Sequence, residues 1–237
     1  MTTLLLKDLG QMDYLTATAL QERLVEIKQK GELPDILLLV EHPHVYTIGK
    51  SGKDSNPLYA GKIPVYRTSR GGDITYHGPG QMVAYPLLDL RSRLRKDVHR
   101  YLRNLELAVI ETLRGFGIEA ERNPPWTGIW TGRKKIASIG IAVRRGITYH
   151  GVALNVNTDL AYFDRIIPCG LPWAEITSIQ KETGKEVPLE KVQEEFVNRF
   201  QLRFDYTDLQ ELCLEDIQTG SKSDSPAAPV TSASSGS

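Results

Sequence analysis

The chain has 237 residues, and its 29 Lys and Arg balance 29 Asp and Glu, so the formal net charge is zero. That balance gives no global attraction to nucleic acid or to an anionic membrane surface, and neither is expected as a partner. With 41% hydrophobic and 24% charged residues the composition is that of a soluble globular protein, and the length allows one substantial core or two small ones.

At the N-terminus the apolar Leu4, Leu5, Leu6 and Leu9 are interrupted by Lys7 and Asp8. The patch is too short and too charged for a signal-peptide core, and no apolar run approaches the length of a membrane span. The expected compartment is the cytosol. Cys169 and Cys213 lie far apart in different contexts, which suggests neither a disulfide framework nor a zinc site. No metal and no cofactor is expected.

Ala17, Leu20, Leu24 and Ile27 recur at helical spacing, predicting a helix over 13–30 that Gly31 ends. The run Ile36 to Val40 reads as a strand buried on both faces. A short strand is expected over Pro64 to Arg67. Asp73 to His77 and Met82 to Leu87 read as strands joined by the tight turn Gly78-Pro79-Gly80. Val98, Leu102, Leu105, Val109 and Leu113 share one face of a helix over 98–116, followed by Gly117. Further strands are predicted at Gly128 to Trp130, Ile136 to Val143 and Thr148 to Val156. A short helix capped by Thr158 is expected near Asp159, and another from Pro188 to about Phe200. Leu209 to Leu214 looks helical, which would place Cys213 in a core. Strands outnumber helices without alternating strictly with them, so the predicted class is α+β: a mixed β-sheet with packed helices. Residues 218–237 are rich in Ser, Gly, Pro, Ala and Thr and are expected to be a disordered tail behind a folded domain of residues 1–217.

Three segments carry candidate chemistry. In the first, Arg70-Gly71-Gly72-Asp73-Ile74-Thr75-Tyr76-His77-Gly78-Pro79-Gly80-Gln81, the glycines let backbone approach a ligand and expose amide donors. Flanking β-formers suggest a hairpin, with Arg70 supplying a cation and His77 a neutral donor or acceptor. A glycine-rich surface hairpin would look the same, and the segment is not a P-loop because no Gly-Lys-Ser/Thr follows. In the second, Lys134 to Val143, strict alternation puts Lys135 with Ala137, Ile139, Ile141 and Val143 on the more apolar face, and Lys134 with Ser138, Gly140 and Arg144 on the other. Lys135 could then serve as a proton acceptor or snorkel to water from the strand end. In the third, Ile167-Pro168-Cys169-Gly170, the flanking Pro and Gly place Cys169 in a turn, where a thiol can meet a ligand. A free cysteine is commonly just a small buried hydrophobe.

Thiol and lysine suit each other chemically, because an ammonium stabilises the reactive thiolate and an amine can accept and return its proton. His42, His44, His77 and His150 are alternative bases, so a cysteine–histidine hydrolase remains open on these residues alone.

Together the segments resemble the lipoate-biosynthesis octanoyltransferases, also called lipoyl(octanoyl) transferases. The resemblance rests on five ordered blocks. They are Glu41-His42-Pro43 with Tyr46-Thr47-Ile48-Gly49; Arg70 to Gln81 followed by Val83 and Tyr85-Pro86; Lys135 to Gly140; His150 to Val156; and Pro168-Cys169-Gly170. It implies a catalytic domain like those of biotin and lipoate protein ligases. It also implies octanoyl transfer from octanoyl-acyl carrier protein to a specific lysine of lipoyl domains, including those of 2-oxoacid dehydrogenases and the glycine-cleavage H protein. By the same resemblance Cys169 carries the acyl-thioester and Lys135 favours its thiolate. Arg70 to His77, Ser138, Ile139, Gly140, Gly151, Val152 and Ala153 would shape the acyl pocket. An ATP-dependent ligase of the same superfamily, whose glycine-rich segment typically has an aspartate after its histidine, and a non-catalytic module that holds acyl carrier protein are the competing classes. Arg91, Arg93, Arg95, Lys96, Arg100 and Arg103 form either a docking face for acidic carrier or lipoyl domains or an ordinary solvated helix face.

Overall fold

The structure, a computed structural model, describes residues 2–53, 59–94, 96–167 and 173–214, with only the backbone of Arg93. The expected Pro168-Cys169-Gly170 turn, Arg95 and the tail lie outside the described residues.

In chain order the elements are β1 (Thr3–Gln11), α1 (Tyr14–Gln29), β2 (Asp35–Glu41), β3 (Val45–Ile48), β4 (Val65–Arg67), β5 (Ile74–His77), β6 (Gln81–Leu87), α2 (Leu90–Arg93) and α3 (Val98–Gly115). There follow β7 (Glu121–Asn123), β8 (Trp126–Thr131), β9 (Lys134–Arg144), β10 (Ile147–Asn155), a 3-10 helix (Leu160–Arg165), β11 (Glu175–Ile176), α4 (Ile179–Thr183), α5 (Leu189–Arg203) and β12 (Asp208–Glu211). Among the described residues the strands form a nine-stranded mixed sheet, ordered β12-β1-β2-β6-β10-β9-β8-β7 with β11 on β9, and a three-stranded sheet ordered β4-β3-β5. No described helix is long and apolar enough to cross a membrane.

The central strands of the large sheet are buried on both faces, and β2 shows why. In β2, Leu37 and Leu39 point into a core built with Leu105, Val109 and Leu113 of α3 and Phe196 and Phe200 of α5. Ile36, Leu38 and Val40 point the other way, onto Ala17, Leu24 and Val25 of α1. A strand buried on both faces has no polar face to show, hence the continuous apolar run. Helix α1 starts where the Asp13 carboxylate accepts from the Leu15 and Thr16 amides, and it stops before Gly31 at φ +81°. The small sheet has its own core of Tyr46, Ile48, Ile74, Tyr76, Phe163 and Ile166.

Several expectations need correction. β5 and β6 do not form a hairpin: β5 pairs with β3, and β6 pairs with β2 and β10. The Gly78–Gln81 turn is closed by the Gln81 amide donating to the Gly78 carbonyl, but it turns a corner between two sheets. Gly80 fixes that corner, since its carbonyl accepts from the Val156 and Asn157 amides and a Cβ there would lie 2.6 Å from the Asn157 carbonyl oxygen. The 3-10 helix is capped by Asp159 instead of Thr158, whose hydroxyl donates to the Gly80 carbonyl. The segment around Leu209 is a strand paired in parallel with β1, and Cys213 is exposed. Pairing to an open sheet edge overrides the weak helical pattern there. Of the basic residues near α3, Arg91 is paired with Asp89 and Arg103 with Glu106.

At one end of the large sheet a buried ion pair joins α1 and β2 to the segments around Asp89 and Tyr206. Lys28 Nζ lies 3.0 Å from Asp35 Oδ1 and donates to the Pro34 carbonyl at 2.6 Å. Asp35 also accepts from the Asp89 amide and the Tyr206 hydroxyl. Removing one partner strands the other in the core. Asp35→Ala is therefore expected to lower the unfolding free energy by about 3–5 kcal/mol, read from urea denaturation.

Candidate active site

The site begins with a register shift. Ile129 pairs with Ala137 but Trp130 pairs with Lys135, so β9 carries one extra residue, Ile136, opposite β8. Such a bulge reverses the alternation beyond it. Ile136 and Ala137 both enter the α3/α5 core, and Lys135 emerges on the opposite face. The expected grouping of Lys135 with Ala137, Ile139 and Ile141 is thus corrected: it shares a cavity with Ser138 and Gly140. Lys134 is held by Glu182, 2.6 Å away. Lys135 is 3% exposed, its Nζ 5.8 Å from the centroid of the Trp130 ring. Its stem crosses Gly128, where a Cβ would meet Lys135 Cε at 2.5 Å.

The cavity, about 320 Å³, lies over the β9–β10 hairpin on the α1 side of the sheet, where the small sheet takes over the cover from α1. Its floor is Ser138, Ile139, Gly140, Gly151, Val152 and Ala153, and Lys135 borders it. Small residues are required: a Cβ on Gly151 would fall 2.1 Å from the Ala84 carbonyl oxygen, and one on Gly140 2.8 Å from that of Gly71. From the glycine-rich segment, Arg70, Gly72, Asp73, Thr75 and His77 face the cavity. Ile74 and Tyr76 do not, because alternation along β5 turns them into the small sheet's core. Gly71 holds the segment down, its amide donating to the Ile141 carbonyl at 2.8 Å. Cys169, like the rest of its turn, is outside the described residues.

Much of the wall comes from outside the residues expected to shape the pocket. Tyr14, Ser51, Val83, Tyr85, Pro125, Trp126 and Thr127 all border the cavity, as does His150, expected only as an alternative base. Val83 and Tyr85 share a face of β6 by period-two spacing, a signal available in the sequence. Tyr14, Ser51, Pro125, Trp126 and Thr127 come from loops and the first residues of elements, and His150 from within β10; their approach depends on tertiary contacts.

A buried hydrogen-bond chain backs this wall. Arg70 donates through Nε and Nη2 to the Thr47 hydroxyl oxygen and through Nη2 to the Thr47 carbonyl at 2.6 Å. The Thr47 hydroxyl lies 3.3 Å from His77 Nε2, and His77 Nδ1 lies 2.8 Å from Gln81 Oε1. Because the Gln81 amide nitrogen donates to the Tyr76 carbonyl and to Asn155 Oδ1, its oxygen must accept, which puts the His77 proton on Nδ1. Asn155 donates to the Thr177 carbonyl, and the Thr177 amide donates to the Lys135 carbonyl. His42 is fixed in the same tautomer: Nδ1 donates to the Met12 carbonyl and Nε2 accepts from the Tyr85 hydroxyl, both at 2.7 Å.

Burial holds these imidazoles neutral. It lowers His42 to about 4 and, helped by the positive charge of Arg70, lowers His150 to about 3. Burial, with the positive charge of Arg70 beside it, keeps His77 well below its ordinary value. The same desolvation raises the Tyr14 and Tyr85 phenols. The exposed His44 meets the Tyr76 hydroxyl on the far side of β5.

The architecture places the protein in a fold class. It is matched by lipoate-protein ligase A bound with ATP, at a TM-score of 0.72 and 20% identity over 91% of each chain. Biotin protein ligase from Aquifex aeolicus in complex with biotin and ATP matches at 0.52 and 16% identity, over 85% of this chain and 70% of that one. The fold is the catalytic fold of lipoate and biotin protein ligases. In sequence, residues 13–201 match the lipoyl protein ligase A/B catalytic domain family. The octanoyltransferase of Rubrobacter xylanophilus is 47% identical over 199 residues, 81% of this chain and 89% of the relative. That of Geobacter sp. strain M21 is 50% identical over 196 residues, 82% and 94% of the two chains. The chain belongs to this family, among its octanoyltransferases, and is an acyltransferase.

The neutral histidines have a consequence in acid. Between the unfolded value near 6.5 and the lowered folded values, the unfolded chain binds protons that the folded chain refuses, so stability falls as pH falls through this window. The slope is about 1.4 kcal/mol per pH unit for each such histidine. Urea midpoints should therefore drop steadily from pH 7 to pH 5; a flat profile would contradict the neutral assignments.

Proposed function

We propose that the protein transfers an octanoyl group from octanoyl-acyl carrier protein to a specific lysine of lipoyl domains, in lipoate biosynthesis, through an acyl-thioester on Cys169. The observation that carries this reading is the buried Lys135 at the edge of a cavity floored by small and aliphatic residues. Acceptors of this chemistry include the lipoyl domains of 2-oxoacid dehydrogenases and the glycine-cleavage H protein.

In this reading the Cys169 thiol gives its proton to the Lys135 amine, and the thiolate attacks the donor thioester carbonyl. The carbon–sulfur bond to the carrier breaks, and the departing thiolate takes the proton back. An amine of the lipoyl domain then attacks the acyl-enzyme. The carbon–nitrogen bond forms, the Cys169 thiolate leaves, and the proton lost by the amine passes through Lys135 to the thiolate. No ATP is needed, because the incoming thioester is already activated. The described chain nearest in sequence supports the reading: Ile176, seven residues past Cys169, pairs with Lys135, and the next amide bonds to the Lys135 carbonyl. Arg70, Gly72, Asp73, Thr75 and His77 with Ser138, Ile139, Gly140, Gly151, Val152 and Ala153 bind the acyl chain and the groups next to its carbonyl. Gly71, Ile74 and Tyr76 support that surface from behind.

A cysteine–histidine hydrolase is disfavoured by the hydrogen-bond chain. His42 and His77 have both ring nitrogens engaged, His150 Nε2 sits 3.0 Å from Ser69 Oγ, and all three are held neutral far below pH 7. Such groups are poor proton acceptors at neutral pH.

Mixing with octanoyl-acyl carrier protein should give one octanoyl adduct by intact mass. Cys169→Ala should abolish it, and Lys135→Ala should slow its formation by about 10²–10⁴-fold, the usual span for losing a general base. An adduct that survives Cys169→Ala would sink the mechanism.

A further inference from the structure

A tryptophan cluster at the cavity mouth is not used by the chemistry above. Trp126 borders the cavity and is 37% exposed; Trp173 is 42% exposed. Their rings meet edge to face at 4.7 Å, and Trp173 stacks at 5.7 Å on Trp130, which is fully buried. Tryptophan left this exposed at a cavity mouth marks a contact surface. The cluster also shows what it can hold, since the nitrogen of a lysine side chain, Lys135 Nζ, already lies 5.8 Å from the Trp130 ring centroid, within the range of ring–amine contacts.

Resting on the proposed transfer, we propose that Trp173 and Trp126 form the entrance for the acceptor lysine. Their ring faces receive the incoming ammonium and its four-carbon stem and displace its hydration shell before the amine reaches the acyl-enzyme. The chemistry favours this occupant over the donor thioester. A ring face is electron-rich and attracts a cation, whereas a thioester is neutral and offers it none. An amine must also shed water to attack, and an aromatic rim displaces that water; the proton leaves only once the nitrogen passes beyond the ring faces, which themselves favour the charged form. The two half-reactions then use one mouth differently: the donor needs the acyl slot, the acceptor needs the rim.

The test separates the half-reactions in the full-length protein. The enzyme is loaded from octanoyl-acyl carrier protein, the carrier is removed, and the discharge of the adduct to a lipoyl domain below saturation is followed by mass. Trp173→Ala should slow discharge about tenfold, the scale of one lost ring–ammonium contact, while loading changes less than twofold. Trp173→Phe should restore most of the rate. Trp173→Leu, which keeps apolar bulk without a π face, should behave as the alanine variant does. Discharge unaffected by alanine, leucine rescuing as well as phenylalanine, or loading slowed in parallel with discharge would each overturn the entrance. Failure of the wild type to load at all would instead overturn the transfer reading, and the entrance with it.

Discussion

The site depends on the buried polar chain that runs from Arg70 through Thr47, His77, Gln81 and Asn155 to Thr177. Each link is a group that would cost roughly 1–3 kcal/mol if buried unpaired, so the chain forms as a whole or strains as a whole. It crosses from the small sheet to the large one. Thr47 and His77 stand opposite the apolar core of β3 and β5, Gln81 opens β6, and Asn155 closes β10. Fixing these side chains therefore fixes the angle between the sheets, and the cavity is the space that this angle leaves.

Arg70 is the most demanding member. A buried guanidinium needs acceptors for its fork of donors, and the Thr47 carbonyl, the Thr47 hydroxyl and the Gly71 carbonyl supply them. Close packing of the loop makes this possible: a Cβ on Gly49 would lie 2.3 Å from the Gly72 carbonyl oxygen and 2.9 Å from Arg70 Nη1. The charge in turn sets its surroundings. Two imidazoles near it, His77 and His150, are pushed toward the neutral form, so they act as oriented dipoles in the wall and not as titrating bases.

What the sequence reveals follows the range of the interactions involved. Helices α1 and α3 and strand β2 are legible because their patterns record burial of one face or of two, a local property of the chain. The glycine-rich segment and the small residues of β9 and β10 are legible as a pocket because close backbone approach demands them. The β5–β6 corner is not, since a tight turn looks the same whether its arms pair with each other or with β3 and β2. β12 is hidden for a similar reason: four residues gain strand structure from the edge of β1. Tyr14 and Trp126 of the cavity wall carry no local mark of where their rings end up.

The orientation of Lys135 is the sharpest case. Strict alternation would send it with Ala137 into the core beneath α3 and α5, where an amine could reach neither solvent nor substrate. The extra residue at Ile136 turns it into the cavity, and a bulge is a property of two strands together, invisible in one. Three features then keep it there: pairing with Ile176, the Thr177 amide on its carbonyl, and the space over Gly128, whose φ of +126° few other residues adopt. In the proposed mechanism Lys135 must present its nitrogen at a fixed point despite a flexible stem. Here the backbone is pinned on both sides and the stem lies between Gly128 and the Trp130 ring, so the fold restricts the freedom that would otherwise oppose each proton transfer.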